Sequence, residues 1–303
     1  MKISILIIFF LLCKVGKAQS ALDSLIQNDF EIAEKYTSDT LYIKAINKYQ
    51  FIIKNYKLDN ESWGDACLKI GELYEYLGEE QNAIIWYRKL IKSVRIIKSK
   101  NKKIIKEWLP FQKHFASCNL ASIALRQKKY KAAMYYINLF EYKYPYKHFD
   151  DSRNEDYLYF RKEMHAKVYA GQGDTLKAIK TLVPYIYSNN NFDLLDLFFL
   201  LVKKKYSREL RLNEYYTATQ NYKSKPYKVG AKIQNDIFIN YYGVKVYVPY
   251  MDLNFPKSEN MDTLTMKIFL KINDIPENYE NLPIEKYKIL SLTHCDFFER
   301  LKN

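Results

Sequence analysis

The sequence predicts a mainly α-helical fold, in which a solenoid of helix-turn-helix repeats is followed by a small C-terminal module that contains β-strands. Three observations lead to this prediction. Only 8 glycines and 8 prolines occur among 303 residues, and so low a content disfavours a turn-rich all-β fold. One helical pattern occurs four times before residue 190, and after about residue 226 the hydrophobic period changes to two.

The first 18 residues have the pattern of a secretory signal peptide. Lys2 precedes an apolar run from Ile3 to Cys13, and the small residues Gly16 and Ala18 follow it. The run is too short for a membrane span, which takes about 20 residues. We therefore expect cleavage after Ala18, no transmembrane segment in the mature chain, and a location in the periplasm or cell envelope of a bacterium.

The repeat occupies residues 19–190 and is centred on an alanine in the second helix of each copy. These anchor residues are Ala45, Ala83, Ala133 and Ala178. Twelve residues before each anchor stands a small residue, namely Ala33, Gly71, Ala121 and Ala166. Five residues before it, where the first helix must end, stand Thr40, Gly78, Lys128 and Gly173. The spacing predicts two helices per copy that cross closely at the small residue and bury the anchor.

This pattern resembles the tetratricopeptide repeat family, whose helix-turn-helix units have about 34 residues. The second copy, from Lys69 to Leu90, carries the pattern most fully, and the resemblance covers about residues 26–190. The anchors lie 38, 50 and 45 residues apart, so the copies here are longer than the family unit. The resemblance implies a solenoid whose first helices line a groove for a protein or peptide partner.

The resemblance also implies which side chains would line that groove. They are the outward positions of the first helices, namely Glu34, Glu72, Tyr76, Ser122, Arg126 and Lys167. The charged ones are acidic in the first two copies and basic in the last two, which would suit a peptide. Solvated helix faces have the same composition, so both interpretations stay open.

The rest of the chain is expected to form a cap and a separate module. Residues 191–225 predict two capping helices, which would cover the apolar end of the solenoid. Residues 226–303 predict a small β-containing module that resembles no family. In it, alternation at Ile237, Ile239 and Tyr241, a turn at Tyr242-Gly243 and a second alternating run predict a hairpin. A third strand is expected at 263–272, and a strand followed by a short helix after residue 288.

The sequence contains no motif of a known catalytic, cofactor or metal site. His294 and Cys295 are adjacent, so in a strand they would point to opposite faces, whereas a nucleophile and its base must meet. The 4 cysteines and 4 histidines do not cluster as metal ligands do. We therefore expect a non-catalytic scaffold with no cofactor. An envelope enzyme with its site at the junction of solenoid and tail is an alternative.

A second alternative follows from the charge, because 48 basic against 34 acidic residues give a formal net charge of +14. One run of basic residues that contains no acidic residue lies between the second and third copies. It consists of Lys92, Arg95, Lys98, Lys100, Lys102, Lys103 and Lys106. Such a run attracts an acidic envelope surface or another polyanion. Nucleic acid is the least expected of these partners, since an exported protein rarely meets it.

Overall fold

The computed structural model describes residues 21–93, 102–146, 151–186, 192–229 and 232–248, together with Phe297, Arg300 and Leu301. The chain is mainly helical and has a small three-stranded antiparallel sheet. It divides into two compact units, Met1–Lys147 and His148–Asn303. The predicted signal peptide and the third strand predicted at 263–272 lie outside the described residues.

The first unit is built of helices that pack on their neighbours in the chain. They are α1 (21–38), α2 (Tyr42–Asn55), α3 (Asn60–Tyr76), α4 (Glu80–Lys92), α5 (Lys102–Arg126) and α6 (Tyr130–Asn138). A π-helical turn, Leu139–Lys143, continues α6 and ends before Pro145, as expected for a residue that stops helices. Helix α3 contacts α2, α4 and also α5, so the first helices of successive hairpins lie side by side.

The second unit combines helices with the sheet. Its elements are α7 (Asp151–Gly171), α8 (Thr175–Leu182), α9 (Phe192–Lys205), α10 (Arg208–Gln220), β1 (Lys223–Val229), β2 (Lys232–Tyr241) and β3 (Val244–Val248). The strands lie in the order β1-β2-β3 and are antiparallel. Residues of α7 and α8 share one apolar core with α9, α10, β2, β3 and the helical residues Phe297 and Leu301. The fourth hairpin is therefore packed into the same core as the sheet.

The four repeat copies form hairpins with the same turn. The residue five before each anchor has a positive φ, which is 59° at Thr40, 74° at Gly78, 55° at Lys128 and 90° at Gly173. Its N–H donates to the carbonyl three residues back, and the next N–H donates to the carbonyl five residues back. This pair of hydrogen bonds is the Schellman motif that closes helix C-termini. The helix ends predicted at the two glycines are confirmed, and the other two copies adopt the same turn without glycine.

The buried positions of the repeat are also as the spacing predicts. All four anchor alanines are fully buried. The helices cross closely at Gly71, where a built Cβ would lie 2.3 Å from Cε1 of Tyr87, whose ring is fully buried. At the start of α8, the Asp174 side chain accepts a hydrogen bond from the Lys177 N–H at 3.0 Å and so caps the helix.

The predicted hairpin near the C-terminus is confirmed, and a further strand precedes it. Ile237, Ile239 and Tyr241 of β2 are fully buried, while Phe238 lies on the opposite face beside Tyr247. Strand β1 begins at Lys223, inside the segment that was expected to be helical. Its sequence, KSKPYKV, lacks the alternation that marks a strand. A proline-containing, lysine-rich strand is tolerated because β1 is at the edge of the sheet.

Candidate functional site

The predicted groove residues all lie on the first helices of the hairpins. Glu34 is on α1, Glu72 and Tyr76 are on α3, Ser122 and Arg126 are on α5, and Lys167 is on α7. Glu34, Tyr76, Arg126 and Lys167 are exposed, whereas Glu72 and Ser122 are half-buried. Lys167 belongs to the second compact unit and the other five residues to the first.

A cavity of about 490 Å³ lies between the first helices of the first three hairpins. We call it the first-helix cavity. It is lined by Gln27, Phe30 and Glu34 of α1, Tyr49 of α2, Ser62, Asp65, Leu68, Lys69 and Glu72 of α3, and Phe111 and Phe115 of α5. Its volume is within the range of natural ligand pockets.

Helical periodicity explains why these side chains meet. Most lining residues of a helix are three or four positions from the next, as are Asp65, Leu68 and Glu72, and Lys69 adjoins Leu68, so one stripe of each helix faces the cavity. The neighbouring stripe of α3, one residue further along the helix, carries Ala66, Ile70 and Leu73 into the core. The amphipathic pattern that folds the hairpins therefore also leaves one face of each first helix for the cavity.

The charge of the first-helix cavity is predominantly negative. Glu34, Asp65 and Glu72 contribute carboxylates, and Lys69 is the cation among the lining residues. Lys69 Nζ lies 3.0 Å from Glu72 Oε2, so the two form an ion pair on one helix face. Asp65 instead accepts a hydrogen bond from Gln112 Nε2 at 2.6 Å, and this donor is neutral.

Two pKa shifts in the cavity are caused mainly by burial. Burial raises the pKa of the Asp65 carboxyl, the hydrogen bond from Gln112 and the charge of Lys69 oppose this shift, and the carboxylates of Asp59 and Glu72 add to it. The pKa of Tyr49 is raised to about 12, chiefly by burial and then by the carboxylate of Glu34. Both shifts mean that the protein disfavours further negative charge at this place.

The other predicted groove residues have partners within the fold and do not line the cavity. Arg126 joins two helices, with 2.7 Å from Nη2 to Glu75 and 2.7 Å from Nε to Glu80. The Tyr76 ring stacks on Tyr42 with 5.4 Å between centroids. Ser122 Oγ donates to the Cys118 carbonyl at 3.1 Å, and Lys167 pairs with Glu163 on its own helix. The structure thus brings Glu34 and Glu72 together and gives the remaining four local structural contacts.

Sequence reasoning missed Asp65 and the aromatic residues of the cavity, although the repeat contains a signal for some of them. Gln27, Asp65 and Phe115 all stand eighteen residues before their anchors. Glu34 and Glu72 stand eleven residues before their anchors, so the offset of eighteen lies two helical turns earlier on the same helices. Extending the repeat alignment toward the start of each first helix would have located them.

Most of the basic run lies outside the described residues. Lys92 ends α4, Arg95, Lys98 and Lys100 are not described, and the backbones of Lys102, Lys103 and Lys106 lie in α5. His294 and Cys295 are likewise outside the described part of the chain.

In the described ranges, no group of three or more His, Cys, Asp or Glu side chains is placed to hold a metal ion. Of the helices described, none is long and apolar enough to cross a membrane. Comparison with known proteins gives no match for this chain, whether to a protein-family model, to a curated protein or to a solved structure.

Proposed function

We propose that the chain is a non-catalytic scaffold, similar to tetratricopeptide repeat proteins, that binds a protein or peptide partner in the first-helix cavity. The observation that carries the proposal is the cavity itself, which is built from three first helices and includes two of the residues named from the repeat. Its aromatic side chains are of the type enriched in protein interfaces, and its few charged groups could orient a bound peptide.

The frame around the cavity supports this function because it holds the lining residues in place. Identical hydrogen-bonded turns close the three hairpins of the first unit. The Arg126 guanidinium links α5 to α3 and α4 through Glu75 and Glu80. A surface that is ordered before binding loses less conformational entropy when a partner docks.

The proposal includes export, since the first 18 residues have the composition of a signal peptide. The partner would then be a protein of the bacterial periplasm or cell envelope.

The test is capture of the partner from an envelope extract by the mature chain, residues 19–303, with a variant that fills the cavity. Ser62 lines the cavity and is half-buried, so Ser62→Trp places an indole in the binding space. Ser38 is exposed at the end of α1, and Ser38→Trp is the matched control. Circular dichroism confirms that both variants fold.

We expect one dominant protein that survives high salt, that is retained by Ser38→Trp and that is lost at least about tenfold with Ser62→Trp. Equal capture by both variants would overturn the proposal. Capture of polyanions alone, lost steeply as salt increases, would instead assign the interaction to the run Lys92–Lys106.

A further inference from the structure

We infer that the first-helix cavity recognises a cationic segment of the partner, with an arginine or lysine side chain directed at Glu34 and Asp65. This inference rests on the proposed function and adds the chemical class of the ligand. The expected ligand is positively charged because the cavity is acidic, although the chain as a whole is basic.

The first argument is the imbalance of charge in the lining. Three carboxylates stand against one ammonium group, although the whole chain has an excess of basic residues. Lys69 is already paired with Glu72. Among the described residues no cation lies within ion-pair distance of Glu34 or Asp65, and Lys69 acts on both carboxylates only from a longer distance. A bound cation would supply a direct partner.

The second argument is that the Asp65 carboxylate is partly withdrawn from water. Asp65 is half-buried, and its described hydrogen bond comes from the neutral amide of Gln112. A carboxylate in such surroundings interacts with an incoming cation more strongly than one in bulk water does. The raised pKa of the Asp65 carboxyl and that of the Tyr49 hydroxyl are both caused chiefly by burial, which is consistent with this withdrawal from water.

The third argument is the aromatic wall. Phe30, Phe111 and Phe115 line the same cavity as the acids, and the rings of Phe111 and Phe115 meet edge to face with centroids 4.7 Å apart. Aromatic faces attract guanidinium and ammonium groups, and they also cover the aliphatic stem of a long basic side chain. Acids and rings together favour arginine over lysine, because a guanidinium can stack and make two parallel hydrogen bonds to a carboxylate.

The test uses a fluorescent seven-residue peptide of alternating alanine and arginine, whose binding to the mature chain is measured by fluorescence anisotropy. The reference peptide has citrulline in place of each arginine, which keeps the shape and removes the charge. We expect the arginine peptide to bind at least about tenfold more tightly, since each charge-assisted contact to a partly buried acid exceeds a neutral one by this order.

Variants of the acids make the test specific to this cavity. Glu34 is exposed, so Glu34→Gln leaves the fold intact, and Asp65→Asn keeps a side chain that can bond to Gln112. We expect the double variant to reduce binding of the arginine peptide at least about tenfold. Asp39→Asn, an exposed acid in the turn after α1, is the control and should have no effect.

The two proposals fail in different ways. Equal binding of both peptides, or no binding of either, would overturn the inference of a cationic ligand. The scaffold proposal would still be supported in that case if Ser62→Trp blocked capture of the partner. Unchanged binding of the arginine peptide to the double variant would also overturn the inference. Partner capture that is insensitive to Ser62→Trp would remove the scaffold proposal itself.

Discussion

At the scale of single residues, the carboxylate of Asp29 joins the two helices of the first hairpin. It is buried, and it accepts from Lys48 Nζ at 2.6 Å and from the Tyr56 hydroxyl at 2.8 Å. These contacts tie α1 to α2 and to the residue that follows α2. The hydrogen bond from Lys48 is the main reason that the pKa of Asp29 is lowered.

We predict that Asp29→Asn lowers the free energy of unfolding by about 1–3 kcal/mol at pH 7, because it leaves Lys48 without its anionic partner. A group whose pKa is lowered in the folded state stabilises the fold above its ordinary pKa, which is 3.8 for Asp29. The contribution is lost as the pH falls through the lower folded-state value. Urea unfolding at several pH values measures this, and a variant deficit that persists unchanged in acid would contradict it. Asp39→Asn is the exposed control.

A second prediction at this scale concerns Gly71, where α3 and α4 cross. The Cβ of an alanine there would lie 2.3 Å from Cε1 of Tyr87. The ring cannot easily move, since its hydroxyl donates to Glu75 at 2.9 Å and accepts from Asn119 at 2.9 Å. We expect Gly71→Ala to cost about 1–3 kcal/mol of stability through overpacking. A variant as stable as the parent in denaturant unfolding would show that the crossing can open.

At the scale of elements, the four turns predict opposite changes in stability: removing a glycine from the positive-φ position should destabilise the fold, and introducing one should stabilise it. Gly78 and Gly173 have positive φ and no heavy atom within 4 Å of a built Cβ, so an alanine there meets only the conformational cost. We predict that Gly78→Ala destabilises by about 1 kcal/mol, and that Thr40→Gly and Lys128→Gly stabilise by a similar amount. Thermal unfolding of the three variants measures this. A loss of stability in both glycine variants would mean that their side chains contribute more than the strain costs.

The same elements show how far the sequence determines the fold. The hairpins could be predicted because the anchor, the crossing residue and the turn recur at fixed offsets. The turn residues Thr40 and Lys128 could be placed only by this spacing, since a positive φ at a residue with a Cβ has no compositional signal of its own. Strand β1 could not be predicted from its own sequence. Its lysines and Pro226 are tolerated because β1 lies at the edge of the sheet, and this position is known only from the folded structure.

At the scale of the whole molecule, the candidate site was predictable in part. The family resemblance implied six groove residues, and two of them, Glu34 and Glu72, line the first-helix cavity. The resemblance does not show how successive hairpins are placed when the copies differ in length, as those anchored on Ala83 and Ala133 do. The contribution of Phe111 and Phe115 depends on that placement. The grouping of the fourth hairpin with the sheet depends in turn on an apolar core shared by distant segments.

The net charge of the chain is positive, whereas the first-helix cavity is acidic, and this difference leads to a prediction at the scale of the whole molecule. The mature chain lacks the three lysines of the predicted signal peptide, so its formal net charge is +11 rather than +14. This charge repels an approaching cationic peptide, whereas the acids of the cavity attract it only at short range. The screening length falls from about 30 Å at 0.01 M salt to about 8 Å at 0.15 M. Added salt therefore weakens the long-range repulsion more than the attraction inside the cavity.

We expect the association rate constant of the arginine peptide to rise by about threefold over this range of salt, in contrast to the fall that is usual for oppositely charged partners. Stopped-flow anisotropy measures the rate, and the citrulline peptide, being uncharged at these positions, should show little change. A steep fall for the arginine peptide would mean that the acids of the cavity dominate the field even at long range. A rise that disappears in the Glu34→Gln and Asp65→Asn double variant would contradict the assignment of the repulsion to the chain as a whole.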